Sequence, residues 1–225
     1  MKSVLIFGET GRMGQEVKKI VEASPSLEYA GGFNRKNADA IKSLNPDIII
    51  DFSLPAATES LINFVNEKPC AVVSGTTGWT EDEANKYKAL GEVAPVFWSA
   101  NMSFGVFLMC KLTEMLAKYD KFYNFKIEET HHIHKKDKPS GTAIMVKNAA
   151  EKSTSEIKTV ESLREGEVFG IHRFIANSPN ETLEIRHDAT NRALFAQGAV
   201  DISEWLVSKP NGFYEMKDFF EAFNS

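Results

Sequence analysis

Val4-Leu5-Ile6-Phe7-Gly8-Glu9-Thr10-Gly11-Arg12-Met13-Gly14 stands near the head of the chain and decides how the rest is read. Its first four residues are a continuous apolar run, short enough for a strand buried on both faces. Behind the glycines, Met13, Val17, Ile20 and Val21 fall at i, i+4, i+7 and i+8, the stripe of an amphipathic helix. A strand, a glycine turn and a helix N-terminus bring free N–H groups and partial positive charge to one point, which suits a phosphate. The spacing is G-x-x-G-x-x-G rather than G-x-G-x-x-G, so a tight turn without ligand competes with a nucleotide site. Its place at the start of an alternating β/α chain favours the nucleotide.

Working outward, a second strand over Tyr29 to Phe33 ends at Asn34-Arg35. Dinucleotide folds specific for NAD place an acid there for the ribose 2′-hydroxyl. An arginine stands there instead, and a guanidinium pairs with a 2′-phosphate, so NADPH is expected over NADH. Further strands are expected at Ile48 to Phe52, Ala71 to Ser74 and Val96 to Ser99, with a helix after Pro55 and another capped by Thr80 and Glu83. Strands alternating with helices predict a parallel doubly wound sheet. Ligands bind at the carboxyl ends of such strands, so Gly8, Gly75, Thr77 and Asn101 should share one crevice.

After Ser103 the pattern changes. Val106, Met109, Cys110 and Thr113 mark a helix, and Tyr123, Phe125 and Ile127 alternate with polar residues as in a half-buried strand. Strand-like runs at Val168 to Ala176 and Thr182 to His187 flank a turn at Asn177-Ser178-Pro179-Asn180, and a late helix covers Ala193 to Val207. This half reads as a mixed or antiparallel sheet covered by helices on one face.

Composition excludes several classes. With 43% apolar and 25% charged residues the chain is not disordered. A net charge of -5 implies no large basic face, so nucleic acid is not an expected partner. No run approaches the roughly 20 apolar residues that span a bilayer, so no membrane is expected and a cytoplasmic location is. Cys70 and Cys110 lie in apolar runs and read as buried reduced thiols.

Chemistry concentrates in Glu129-Thr130-His131-His132-Ile133-His134-Lys135-Lys136-Asp137-Lys138-Pro139-Ser140-Gly141-Thr142. A strand over Phe122 to Glu129 delivers the chain to His131, and alternation turns His131 and His132 to different sides. Ser140 or Thr142 can cap a helix over Ala143 to Lys152, whose N-terminus would receive a carboxylate beside Lys135. A histidine there can act as a general acid. A metal site from His131, His132, His134 and Asp137 is disfavoured by three nearby lysines. A solvated loop that merely caps a helix is the plainest alternative.

This segment, with Ala143, resembles the signature E-x-H-H-x-x-K-x-D-x-P-S-G-T-A of dihydrodipicolinate reductases. The resemblance extends to Gly8–Gly14, Ile50-Asp51-Phe52-Ser53, Gly75-Thr76-Thr77-Gly78, Asn101 to Val106 and Phe195 to Val200. It implies a Rossmann domain over 1–102 and 192–225, an α+β substrate and oligomerisation domain over 103–191, and NADPH or NADH as cofactor. The substrate would be a cyclic imine dicarboxylate, reduced in lysine and diaminopimelate biosynthesis. His131 matches the proton donor and Lys135 a second proposed donor. His132, Gly141 and Thr142 match substrate-carboxylate contacts, with Ser140 opening the helix that anchors the carboxylate. Gly8, Glu9, Thr10, Gly11, Arg12 and Met13 match cofactor contacts, as do Gly75, Thr76 and Thr77 and then Ser99, Ala100, Asn101 and Met102.

The resemblance further implies a homotetramer, or a homodimer given an abbreviated loop between Ser162 and Val168. Departures from the family pattern are Glu9 and Thr10 in place of small residues, Lys138 for Ala, Met102 for Phe, and Phe107 for Asn. Two other readings compete: another small NADP-dependent imine or aspartate-type dehydrogenase, and a non-enzymatic dinucleotide-sensing regulator, which would have no use for the His131–Lys135 cluster.

Overall fold

A computed structural model describes residues 1–33, 40–154, 157 and 160–223. The chain divides into two compact units, Met1–Met102 with Ala193–Ser225, and Ser103–Arg192.

In the first unit six strands form one parallel sheet: β1 (Lys2–Phe7), β2 (Leu27–Phe33), β3 (Ile48–Asp51), β4 (Ala71–Ser74), β5 (Pro95–Trp98) and β10 (Gly212–Tyr214). Their order is β10-β5-β4-β3-β1-β2. Val4 to Phe7 and Ile48 to Ile50 are wholly buried, which is why these strands read as unbroken apolar runs rather than alternating ones. One face is packed by α1 (Arg12–Ala23) and α6 (Ala193–Leu206). The other packs Leu5, Ile49, Val72 and Val96 against Leu61, Phe64 and Val65 of α2 (Thr58–Glu67) and Tyr87 of α3 (Glu81–Ala89). Burying each large side chain stabilises by about 1.5–3 kcal/mol. Thr80 and Glu83 form the expected capping box at the start of α3. The strand order turns back between β1 and β3, and at that point the loops after the two strands part to leave a crevice. The doubly wound parallel sheet read from the sequence is thus present.

The second unit carries α4 (Phe104–Leu116), β6 (Asn124–His131), α5 (Gly141–Glu151), β7 (Val160–Arg164), β8 (Gly170–Asn177) and β9 (Thr182–Ala189). The sheet order is β7-β6-β8-β9, with β6 antiparallel to β8, β8 antiparallel to β9, and β7 parallel to β6. On one face Ile127 and Phe174 pack against Met109 of α4 and Val146 and Ala150 of α5. Lys126, Glu128, Glu161, Arg173 and Glu184 are joined in ion pairs across β7, β6, β8 and β9.

Three differences from the sequence reading matter. β6 runs on to His131 instead of stopping at Glu129, because Thr130 and His131 pair with Leu163 and Arg164 of β7. β7 and β10 lack strong patterns of their own and exist through their neighbours. Cys110 is half-buried rather than buried, since α4 shows part of that side to solvent.

Candidate active site

The glycine turn leaves β1 at Gly8, whose φ of +80° is a left-handed conformation that favours glycine. A Cβ there would also collide with the carbonyl oxygen of Phe52. Gly11 is the N-cap of α1 with no side-chain cap, and no acid occupies the helix's first turn. Its leading N–H groups therefore keep their capacity for an anion. A cleft of about 360 Å³ opens here, walled by Gly8, Thr10 and Gly11 and by Phe33, Phe52 and Leu54. Its dimensions and donors fit part of a dinucleotide.

One buried carboxylate stitches the loops beside this cleft. Asp51 accepts from the Ser53 amide and hydroxyl at 3.0 and 2.6 Å, the Ser74 hydroxyl at 2.8 Å and the Thr76 hydroxyl at 3.0 Å. Burial pushes its pKa up against those four bonds. Thr76 is consequently enclosed, and what it offers a ligand is backbone, whereas Thr77 is exposed. Ser99 bonds the Asn101 carbonyl at 2.7 Å, Ala100 is exposed and Met102 is buried. Gly75, Thr76, Thr77 and Asn101 are not among the cleft's lining residues. Arg12 is exposed and Met13 half-buried at the start of α1. Asn34 and Arg35 lie outside the described residues.

Glu9 does something the sequence reading missed. Its carboxylate turns to β2 and α1, accepting from Lys18 at 2.8 Å and from the Tyr29 hydroxyl, and it fills the space a side chain at Gly32 would need. The bonds from Lys18 and then Tyr29 hold its pKa below the usual range.

In the second unit His131 ends β6 and is buried. Its Nδ1 meets the Glu129 carboxylate, and the other Glu129 oxygen accepts from Arg164 Nη1 at 2.9 Å. Burial is the largest influence on Glu129 and favours its neutral form. Hydrogen bonds from Ser162, Arg164 and His131 outweigh it and hold the carboxyl low. Burial lowers the His131 pKa and prevails over the attraction of Glu129. His172 of β8 meets His131 edge-on, ring centroids 5.0 Å apart. Burial, with help from the charge on His131, drives His172 down to about 3.

Ser140 is the N-cap of α5: its Oγ accepts from the Ala143 amide at 3.2 Å and lies 3.0 Å from His172 Nε2. Gly141 and Thr142 form the first turn, again without an acid. Lys135 pairs with Asp137 at 2.9 Å. His132 is half-buried, with an Nδ1 that has no hydrogen-bond partner among the described residues. His134 is exposed and 3.8 Å from Glu167. The metal set weighed from the sequence is not assembled. Among the described residues, the cluster whose ligand atoms converge is Glu129, His131 and His172, within 4.8 Å of one another, and the Arg164 guanidinium already occupies its carboxylate.

Arg164 and His172 escaped the sequence reading, and Glu129 was quoted there without a role. Glu129 was legible, two residues before His131 and so on the same side of the strand. The others arrive by strand pairing, Arg164 opposite His131 and His172 opposite Glu129.

The chain thus carries a parallel sheet with a glycine turn suited to a nucleotide and a second unit with a buried acid–histidine pair. The family profile "Dihydrodipicolinate reductase, N-terminus" matches residues 2–102, and "Dihydrodipicolinate reductase, C-terminus" matches residues 105–220. A 4-hydroxy-tetrahydrodipicolinate reductase of Bdellovibrio bacteriovorus is 37% identical over 222 residues, 97% of this chain and 96% of that protein. One from Rickettsia rickettsii is 33% identical over 238 residues, 98% of this chain and 100% of that protein. A dipicolinate-bound dihydrodipicolinate reductase from Paenisporosarcina sp. TG-14 shares the fold at TM-score 0.80 and 22% identity, covering 96% and 97% of the two chains. The chain belongs to the dihydrodipicolinate reductase family, whose members are NAD(P)H-dependent oxidoreductases.

Proposed function

We propose that this chain reduces 4-hydroxy-tetrahydrodipicolinate to tetrahydrodipicolinate, a step of diaminopimelate and lysine biosynthesis, with NAD(P)H as reductant and His131 as proton donor. Family membership supports the reaction. The observation that carries the roles is the buried Glu129–His131 pair, in the same unit as a capped helix start whose first turn holds no acid.

The glycine turn and the start of α1 would hold the pyrophosphate of NAD(P)H, whose reduced nicotinamide would supply the hydride. The chain's residues do the rest. Glu129 holds Nδ1 of His131, which leaves Nε2 to carry and release the proton. The N–H groups at Gly141 and Thr142, with Ser140, His132 and Lys135, receive the substrate's carboxylates through charge-assisted bonds. Dipicolinate, bound in the related structure, is such a ring dicarboxylate. Lys135 also stands as the second proton source. NADPH is the preferred reductant on the strength of Arg35, and the protein acts in the cytoplasm as a homotetramer built on the sheet of its second unit. No helix among the described residues is long and apolar enough to cross a membrane.

The test is NADPH oxidation with substrate generated in place from pyruvate and aspartate semialdehyde. Turnover is expected, and His131→Gln should lower kcat about 100-fold with dinucleotide affinity unchanged. Oxidation with another imine acid but not this substrate would overturn the reaction, and a near-wild-type rate in His131→Gln would overturn the donor. Equal efficiency with NADPH and NADH, unchanged in Arg35→Ala, would remove the cofactor preference.

A further inference from the structure

Arginine carries five N–H donors in a rigid fork, and Arg164 uses that fork on three separate pieces of chain. Nη1 donates to Glu129 Oε1 at 2.9 Å and to the Leu163 carbonyl at 2.6 Å. Nε donates to the Lys135 carbonyl at 3.2 Å, and Nη2 to the Asp137 carbonyl. The side chain is only 9% exposed and that of Glu129 is fully enclosed, so water does not substitute readily for these bonds. Backbone pairing of His132 and Ile133 with Val168 and Gly166 already closes the strand end. Beyond that closure, Arg164 ties the 135–137 loop to the end of β7.

Two consequences follow from one guanidinium. Its contact with Glu129 fixes the carboxylate whose other oxygen holds His131. Its contacts with the Lys135 and Asp137 carbonyls fix the short segment in which the Asp137 carboxylate holds the Lys135 ammonium at 2.9 Å.

We propose that Arg164 is a positioning residue for the reaction, setting the proton-bearing histidine through Glu129 and the substrate-binding lysine through the backbone of the 135–137 loop. This rests on the proposed roles of His131 and Lys135. The groups facing His131 are Glu129 on its own strand, Lys135 on the following loop, Arg164 on β7 and His172 on β8. Of these Glu129 raises its pKa, while Lys135 and Arg164 lower it, less strongly than burial does.

The experiment measures kcat, KM for the dicarboxylate and the pH profile of kcat/KM in the intact protein for Arg164→Met, Arg164→Lys and His131→Gln. Arg164→Met should raise KM about tenfold and move the histidine limb to higher pH, since the Arg164 charge no longer opposes protonation of His131. Arg164→Lys restores a cation beside Glu129 but not the fork, so the limb should return while KM stays high. A limb unmoved in Arg164→Met, or a wild-type KM in Arg164→Lys, would overturn the proposal. Should Arg164→Met fail to fold, Arg164→Lys decides by its KM. A limb that persists in His131→Gln overturns the donor assignment instead, leaving the loop contacts of Arg164 to be judged by KM.

Discussion

Glu129→Gln removes the charge at the reacting histidine while nearly keeping the side chain's shape. Glutamine keeps the shape, but its one carbonyl oxygen can accept from Arg164 or from His131 Nδ1 and not from both, and it removes a carboxylate that is 1% exposed. With the charge gone, burial, Lys135 and Arg164 all push the His131 pKa down and nothing named opposes them. Arg164 loses a charge-assisted bond, which costs about 1–3 kcal/mol of stability. General acid catalysis is worth about 10²–10⁴ in rate, and losing proper protonation of the donor forfeits much of it. Turnover should therefore fall about 100-fold, with the histidine limb of kcat/KM moving to lower pH. The assay is the pH-dependent oxidation of NADPH with substrate formed in place, alongside fluorescence titration of NADPH to show that cofactor binding is intact. A kcat within about twofold of wild type, or a limb displaced to higher pH, would refute the reasoning.

Two further predictions use other parts of the molecule. A Cβ on Gly170 would lie 2.9 Å from His131 Nε2, so Gly170→Ala should cut kcat about tenfold or more while the melting temperature moves little; an unchanged kcat would show that Nε2 is reached from another side. Acid should loosen the second unit first. All five histidines lie there, and His131, His172 and His187 are held below their ordinary pKa by burial, so the unfolded chain binds protons that the folded unit refuses. Stability from these groups is whole above about pH 6.5 and is lost as pH falls; His172 alone accounts for about 2–3 kcal/mol by pH 4.5. Asp51, in the first unit, has a raised pKa and the opposite sign, its contribution being greatest in acid. The three tryptophans are all in the first unit, so far-UV circular dichroism should change between about pH 6 and 4.5 before tryptophan emission does. Coincident transitions would contradict this.

What the sequence made legible was local. The run Val4 to Phe7 with its glycine turn, the capping box at Thr80 and Glu83, and Ser140 as a helix cap each depend on residues within one turn or strand of each other. Strand β7 was not legible, because Val160-Glu161-Ser162-Leu163-Arg164 alternates weakly and becomes a strand only by pairing with β6. The neighbourhood of His131 was half legible for the same reason: Glu129 is local to it, while Arg164 and His172 come from strands roughly 30 and 40 residues on, placed by register rather than by any motif. Glu9 could not be read from its own position, since its direction depends on Lys18, Tyr29 and the missing side chain of Gly32.

That last arrangement makes positions 9 and 32 two residues with a single allotment of space. Any side chain at 32 evicts the Glu9 carboxylate, and any short residue at 9 leaves a hollow beside Gly32 and strips Lys18 and Tyr29 of their acceptor. Neither site can be varied alone without a clash or a void, so the pair behaves as one unit of design: bulk moved from the turn to the strand, or kept where it is, but never in both places.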